Sequence, residues 1–211
     1  MEGDLQTSSA GGTINAEAGF PFDPFKNELK RKVFHFFSLI YAAGYFLLER
    51  GSILRVLTII LALESSIEFG RFLFPRLNEK MVALFGGIHR QEELHRPTGI
   101  FWTLLGSLLT MALFHDREAV LCSMGYLIFS DAAAALVGVR FGRHRFLMNK
   151  SVEGSIAFFS VSLAVGLFFL DFPVALAGAV FATLVELTPF PWNDNLWIPL
   201  VSASFLSVIS R

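Results

Sequence analysis

Residues 130–155 read SDAAAALVGVRFGRHRFLMNKSVEGS. Asp131 interrupts a run otherwise fit for lipid. Arg140, Arg143, Arg145 and Lys150 then follow at close intervals, and Ser-Val-Glu-Gly-Ser opens another apolar run. Clustered cations at the end of an apolar helix mark its exit from hydrocarbon on the cytosolic side. A carboxylate inside such a helix costs about 2.5–3.5 kcal/mol on insertion, so it faces a cavity or a partner. The stretch predicts a membrane helix with a wet, charged site at its cytosolic end.

The surrounding chain agrees. Of 211 residues, 54% are hydrophobic, 24 are Phe, and the mean hydropathy is +0.57. Soluble domains of this length are rarely so apolar. Apolar runs recur near 33–50, 52–74, 100–115, 118–141, 153–170, 173–188 and 195–210, and about 20 such residues cross a bilayer. The predicted fold is all-α and polytopic, with about seven transmembrane helices. Leu77, Met81, Leu84, Phe85 and Ile88 recur at helical spacing among polar residues, which predicts a short amphipathic helix lying in the interface. Residues 1–24 are polar, lack a signal architecture and read as a flexible cytosolic tail, leaving 25–211 as a single transmembrane catalytic domain. The lone Cys122 provides neither a disulfide frame nor a thiolate metal site.

Charge placement sets the orientation. Net charge is −1, so the balance itself calls for no nucleic acid or other acidic partner. Yet thirteen of the 17 Lys and Arg residues fall on one face of the seven-span arrangement. They lie before the first span (Lys26, Lys30, Arg31, Lys32), between the second and third, and between the fourth and fifth. The positive-inside bias makes that face cytosolic and puts the carboxyl terminus on the opposite side of the membrane.

Carboxylates cluster toward the same face. Glu64 and Glu68 are four apart on one helix face, Asp131 stands about 14 Å from Arg140 along a helix, and Glu186 precedes the TPFPWNDN turn that holds Asp194. Acids and cations in one pocket suit a metal-bound triphosphate: carboxylates hold Mg²⁺, which bridges phosphates, and Lys and Arg neutralise the rest. Ser151 is a candidate N-cap, placing the N–H groups of 151–155 at a helix start. Gly154 leaves room for a bound group. Each feature also has a structural reading: Glu64 and Glu68 as helix glue with Arg71, the alanines after Asp131 as a close-packing surface.

Together these residues resemble the CTP-dependent lipid kinases, a family that includes dolichol kinase, phytol kinase and the yeast-type diacylglycerol kinase. The matching pieces are ELKRKVFH at 28–35, HRPTGIFWTLLG at 95–106, SDAAAALVGVRFGRHRF with KSVEGSIA across 130–157, and ATLVEL followed by DNLWIPL across 182–200. The resemblance implies transfer of the CTP γ-phosphoryl group to the hydroxyl of a membrane-embedded alcohol such as diacylglycerol, phytol or a polyprenol. It also implies Mg²⁺ or another divalent cation. Asp131 and Asp194 are the candidate metal ligands. Asp131, Glu186, Asp194 and Glu68 are the candidate catalytic acids, among which the sequence does not choose the base. Lys150, Ser151, Glu153, Gly154, Ser155, Arg143, Arg145, Arg31, Lys32 and Asn195 are the candidate nucleotide contacts, and His35 and Thr98 the candidate substrate contacts.

Two other readings compete. Phosphatidate cytidylyltransferases, which also use CTP, are similar across the Asp, FG-basic and KSxEG pieces, but their carboxyl-terminal signature is absent here. Mid-depth acids also mark ion-coupled transporters. Such proteins need polar residues continuing to the far face or inverted repeats, and this sequence has neither.

Overall fold

The computed structural model describes residues 24–84, 96–146 and 150–210, and every named element in it is helical. The chain runs α1 (Pro24–His35), α2 (Ser38–Leu47), α3 (Arg50–Leu73), α4 (Pro75–Leu84), α5 (Gly99–Leu113) and α6 (Arg117–Gly125). A π-helical turn, Tyr126–Ser130, joins α6 to α7 (Asp131–Phe141). Then come α8 (Val152–Phe169), α9 (Phe172–Leu187) and α10 (Asp194–Ile209).

The continuous helix Arg117–Phe141 is the pole of the bundle. Every residue from Ala119 to Ile128 is buried; α8 and α10 pack against it, α9 packs on α8 and α10, α5 on α10 and α3 on α5. Small residues make the crossings close. Ala175, Ala179 and Ala182 of α9 have no exposed surface, and Gly154 of α8 faces α7 so closely that a Cβ there would lie 2.9 Å from the Ala134 carbonyl oxygen.

Among the described residues, two helices are long and apolar enough to cross a bilayer, Arg117–Phe141 and Val152–Phe169, while α5, α9 and α10 are shorter apolar helices. Large side chains on the outside are fit for hydrocarbon: Phe168 is 81% exposed and Leu47 75%. The expected helix over 33–50 is a correction. It is two helices, because i→i+3 bonds replace α-helical ones from Phe37 to Ile40 and the Ser38 hydroxyl donates back to the His35 carbonyl. The amphipathic helix expected near 77–88 is present as α4. Its Phe85 and Ile88, like the tail before Pro24, lie outside the described residues.

Candidate functional site

Chain direction alternates through the bundle, so the start of α5, the end of α7, the start of α8, the end of α9 and the start of α10 all lie at one end. A cleft of about 870 Å³ opens there, and α1 closes its side. Three capped helix starts point into it. The Thr98 hydroxyl accepts from the Phe101 N–H, the Ser151 hydroxyl from Gly154 and the Asn193 amide oxygen from Asn195. Each start carries partial positive charge, so the cleft attracts anions before any side chain is counted.

Asp131 opens α7 directly after the π turn, and its N–H still bonds the Tyr126 carbonyl in the wider π register. That turn presents the Leu127 carbonyl to α1, where it accepts from His35 Nε2 at 2.9 Å. The same nitrogen lies 3.8 Å from Asp131 Oδ2. Lys32, one turn earlier on α1, forms the ion pair with Asp131. Lys32 is 3% exposed. It therefore sits inside the cleft wall. Burial pulls its ammonium below the usual lysine range, with Asp131 opposing. Arg31 turns to Glu28 at 2.5 Å and lines the cleft.

A second charged group faces the first. Lys150 Nζ lies 2.7 Å from Glu186 Oε1 and 3.0 Å from Asp194 Oδ2, and it also donates to the Glu186 carbonyl oxygen. Burial works against this ammonium, but Asp194 and Glu186 outweigh it and hold Lys150 above the usual lysine range. A small antiparallel clamp sets the lysine in place. Phe146 N–H donates to the Lys150 carbonyl at 3.0 Å, Val152 N–H to that of His144 at 3.0 Å, and Arg145 bridges Ser151. Glu186 Oε2 is buried and has no hydrogen-bond partner among the described residues.

Most of the sequence-predicted residues meet here. Asp131, Glu186, Asp194, Lys150, Ser151, Gly154, Ser155, Arg145, Arg31, Lys32, His35, Thr98 and Asn195 all line the cleft. Three others do not. Glu68 accepts from Arg71 at 2.5 and 3.1 Å and from the Thr98 N–H at 2.8 Å, and Arg71 also donates to Asn78 and to the Arg96 carbonyl. It binds α3 to α4 and to the start of α5, the helix-glue reading. Glu153 points outward to His144 Nδ1 at 2.8 Å and steadies the clamp. Arg143 is exposed beyond the lining.

Within the cleft wall, some expected contacts are already used. Asn195 Nδ2 donates to Thr103 Oγ1 at 2.9 Å and to the Gly99 carbonyl, pinning α10 to α5. Thr98 caps α5 and donates to Glu64. The space Gly154 leaves is taken by α7, not by a ligand. Sequence reasoning missed the aromatic wall of Trp102, Phe190 and Trp192. The signal was there in the IFWTLL and PFPWND stretches, but aromatics at helix ends in such a chain read as an interfacial belt.

The uncharacterized protein RP860 of Rickettsia prowazekii is 33% identical over 191 residues, 84% of this chain and 92% of its own. CTP-dependent diacylglycerol kinase 1 of Saccharomyces cerevisiae is 28% identical over 220 residues, 88% of this chain and 74% of the yeast protein. This chain belongs to one family with RP860 and is homologous to the CTP-dependent lipid kinases. Phytol kinase of Synechocystis is 33% identical over 123 residues, about half of each chain (52% and 53%). No family model matches, and no solved structure does. The resemblance to lipid kinases expected from the sequence is thus matched by homologues named CTP-dependent diacylglycerol kinase and phytol kinase.

Proposed function

We propose that the protein is an integral membrane kinase that moves the γ-phosphoryl group of CTP onto the hydroxyl of a membrane-embedded lipid alcohol, a diacylglycerol or an isoprenoid alcohol. The observation that carries this reading is the convergence of two Lys–carboxylate groups and three helix starts on one cleft. They come from segments far apart in the chain. The apolar helices α2, α3, α5, α6–α7, α8, α9 and α10 would be seven spans, with the amino terminus and cleft cytosolic and the carboxyl terminus opposite. Local thinning of the bilayer and snorkelling side chains accommodate the short ones.

Phosphoryl transfer asks a protein mainly for alignment and charge neutralisation. Lys150, Arg145 and Arg31 grip the triphosphate, assisted by the N–H groups that open α8. Asp131 and Asp194 would hold a divalent cation such as Mg²⁺. Such an ion takes one or two carboxylates and draws its other ligands from phosphate and water. Bound there, the ion would neutralise phosphate charge. Glu186 is the base. Its unpartnered Oε2 takes the hydroxyl proton as the acceptor oxygen bonds to the γ-phosphorus. The bond from that phosphorus to the β-bridging oxygen breaks, and CDP leaves. His35 acts through Asp131, holding α1 against the π turn. Arg143, Glu153 and Glu68 have no direct part.

The deciding experiment is phosphotransfer in mixed micelles, with CTP labelled at either the γ or the α phosphate and a panel of lipid alcohols plus phosphatidate. Label passing from the γ position alone to an alcohol supports the proposal, and chelating divalent cations should abolish it. Label from the α position on phosphatidate means cytidylyl transfer and overturns it.

A further inference from the structure

We propose that Trp192 is the platform on which the nucleobase of the triphosphate stacks, an inference that rests on the reading of the cleft as a nucleotide site. Trp192 has φ 73°, a left-handed conformation that a bulky side chain adopts only when its surroundings force it. Such strain persists where neighbouring structure over-determines it, and it clusters at ligand sites. Here the neighbours are aromatic. The Trp192 ring lies nearly parallel to Trp102 (centroids 5.8 Å, 12°) and to Trp197 (5.9 Å, 7°). Trp197 is itself fixed by Phe190 at 5.3 Å and by donation from its Nε1–H to the Pro191 carbonyl at 2.6 Å.

Stacking on these two neighbours still leaves most of Trp192 open. It remains 68% exposed and lines the cleft. Its position suits a nucleoside. It stands two positions before Asp194, whose carboxylate meets Lys150 at 3.0 Å, and two steps of chain span at most about 7 Å. The ring thus lies close to the phosphate cations. With Asn195 engaged in packing, a broad aromatic face is what remains for the base. An interfacial belt residue would use the same amphipathic ring, but it needs neither a left-handed backbone nor a place in the cleft wall.

The test uses the full chain in nanodiscs and two probes: a CTP analogue with a methylene between the β and γ phosphorus atoms, and inorganic tripolyphosphate, which has no base. Loss of one base–aromatic stack weakens binding about tenfold or more. Trp192→Ala should therefore lose about that factor for the analogue and keep wild-type affinity for tripolyphosphate, while Trp192→Phe keeps both within about threefold. In the wild type the analogue, but not tripolyphosphate, should quench tryptophan emission. Undiminished analogue binding by Trp192→Ala leaves the ring to the membrane interface and overturns the platform, and so does absence of the selective quenching. Wild-type protein that binds neither probe overturns the nucleotide reading itself, and the platform with it.

Discussion

Lys32 and Asp131 stand 99 positions apart and meet as a pair with side-chain exposures of 4% and 14%. Removing one member of a buried pair costs about 3–5 kcal/mol, because the survivor is left charged and alone. Replacing both is often close to neutral. Asp131→Asn should therefore lower both the melting temperature in detergent and the transfer rate. Adding Lys32→Met should restore the melting temperature and leave the rate low. An active double variant would reduce the pair to a structural tie. Lys150 supplies the complementary case. Its raised pKa stabilises the fold fully below the unfolded value of 10.5, and that contribution fades only as pH climbs through the folded value. Between about pH 6 and 9 it stays an ammonium, so pH dependence of transfer in that window belongs to another group. Charge-assisted contacts are worth about 1.5–3 kcal/mol, so Lys150→Ala should cut kcat/KM for CTP about ten- to a hundredfold. Unchanged kinetics would remove Lys150 from the phosphate site. Asp131 and Lys150 were legible in the sequence because a charge beside hydrocarbon has few explanations. Their partners were only partly so. Which cation meets Asp131 is decided by α1 docking on α7, a contact no local pattern encodes.

At the scale of elements, α7 and α8 cross at Gly154, where an added methyl group would meet the Ala134 carbonyl at 2.9 Å. Backbone on the far side cannot rotate away as a side chain would. Overpacking of this kind costs about 1–3 kcal/mol, so Gly154→Ala should lower the thermal midpoint. It should also weaken CTP binding, since the same crossing seats Ser151 and Lys150. Wild-type values for both would mean that the two helices can separate without disturbing the site. Helix periodicity and apolar length made α3, α5 and α8–α10 readable to within a few residues, because burial in hydrocarbon and in the bundle enforces the same pattern. The break between α1 and α2 was not readable. Phe36 and Phe37 are as apolar as their neighbours, and only the Ser38 hydroxyl and the shift to i→i+3 bonding end the helix there. The π turn was equally silent, since no residue type demands it. Its consequence is the Leu127 carbonyl offered to His35.

For the molecule as a whole, the arrangement places the cleft and the far connections on opposite faces. Arg143 borders the cleft end, whereas Asp171 opens α9 at the other, on a turn that also carries the exposed Phe168 and Phe172. The native thiol, Cys122, is buried in α6, out of reach of an aqueous reagent. A cysteine introduced at the surface therefore reports alone. In sealed vesicles with the cytosolic face inside, a membrane-impermeant maleimide should label Asp171→Cys and spare Arg143→Cys, and inverted vesicles should reverse the pattern. Both sites are exposed and neither contributes to the proposed transfer, so loss of fold does not cloud the result. The outcome bears directly on chemistry. A nucleoside triphosphate is a polyanion and does not cross hydrocarbon unaided, so the cleft must face the compartment that holds it. Labelling of both positions from one side would put the cleft and the α8–α9 turn on the same face. That would break the alternation on which the seven-span arrangement, the positive-inside orientation and access of CTP to Lys150 all depend.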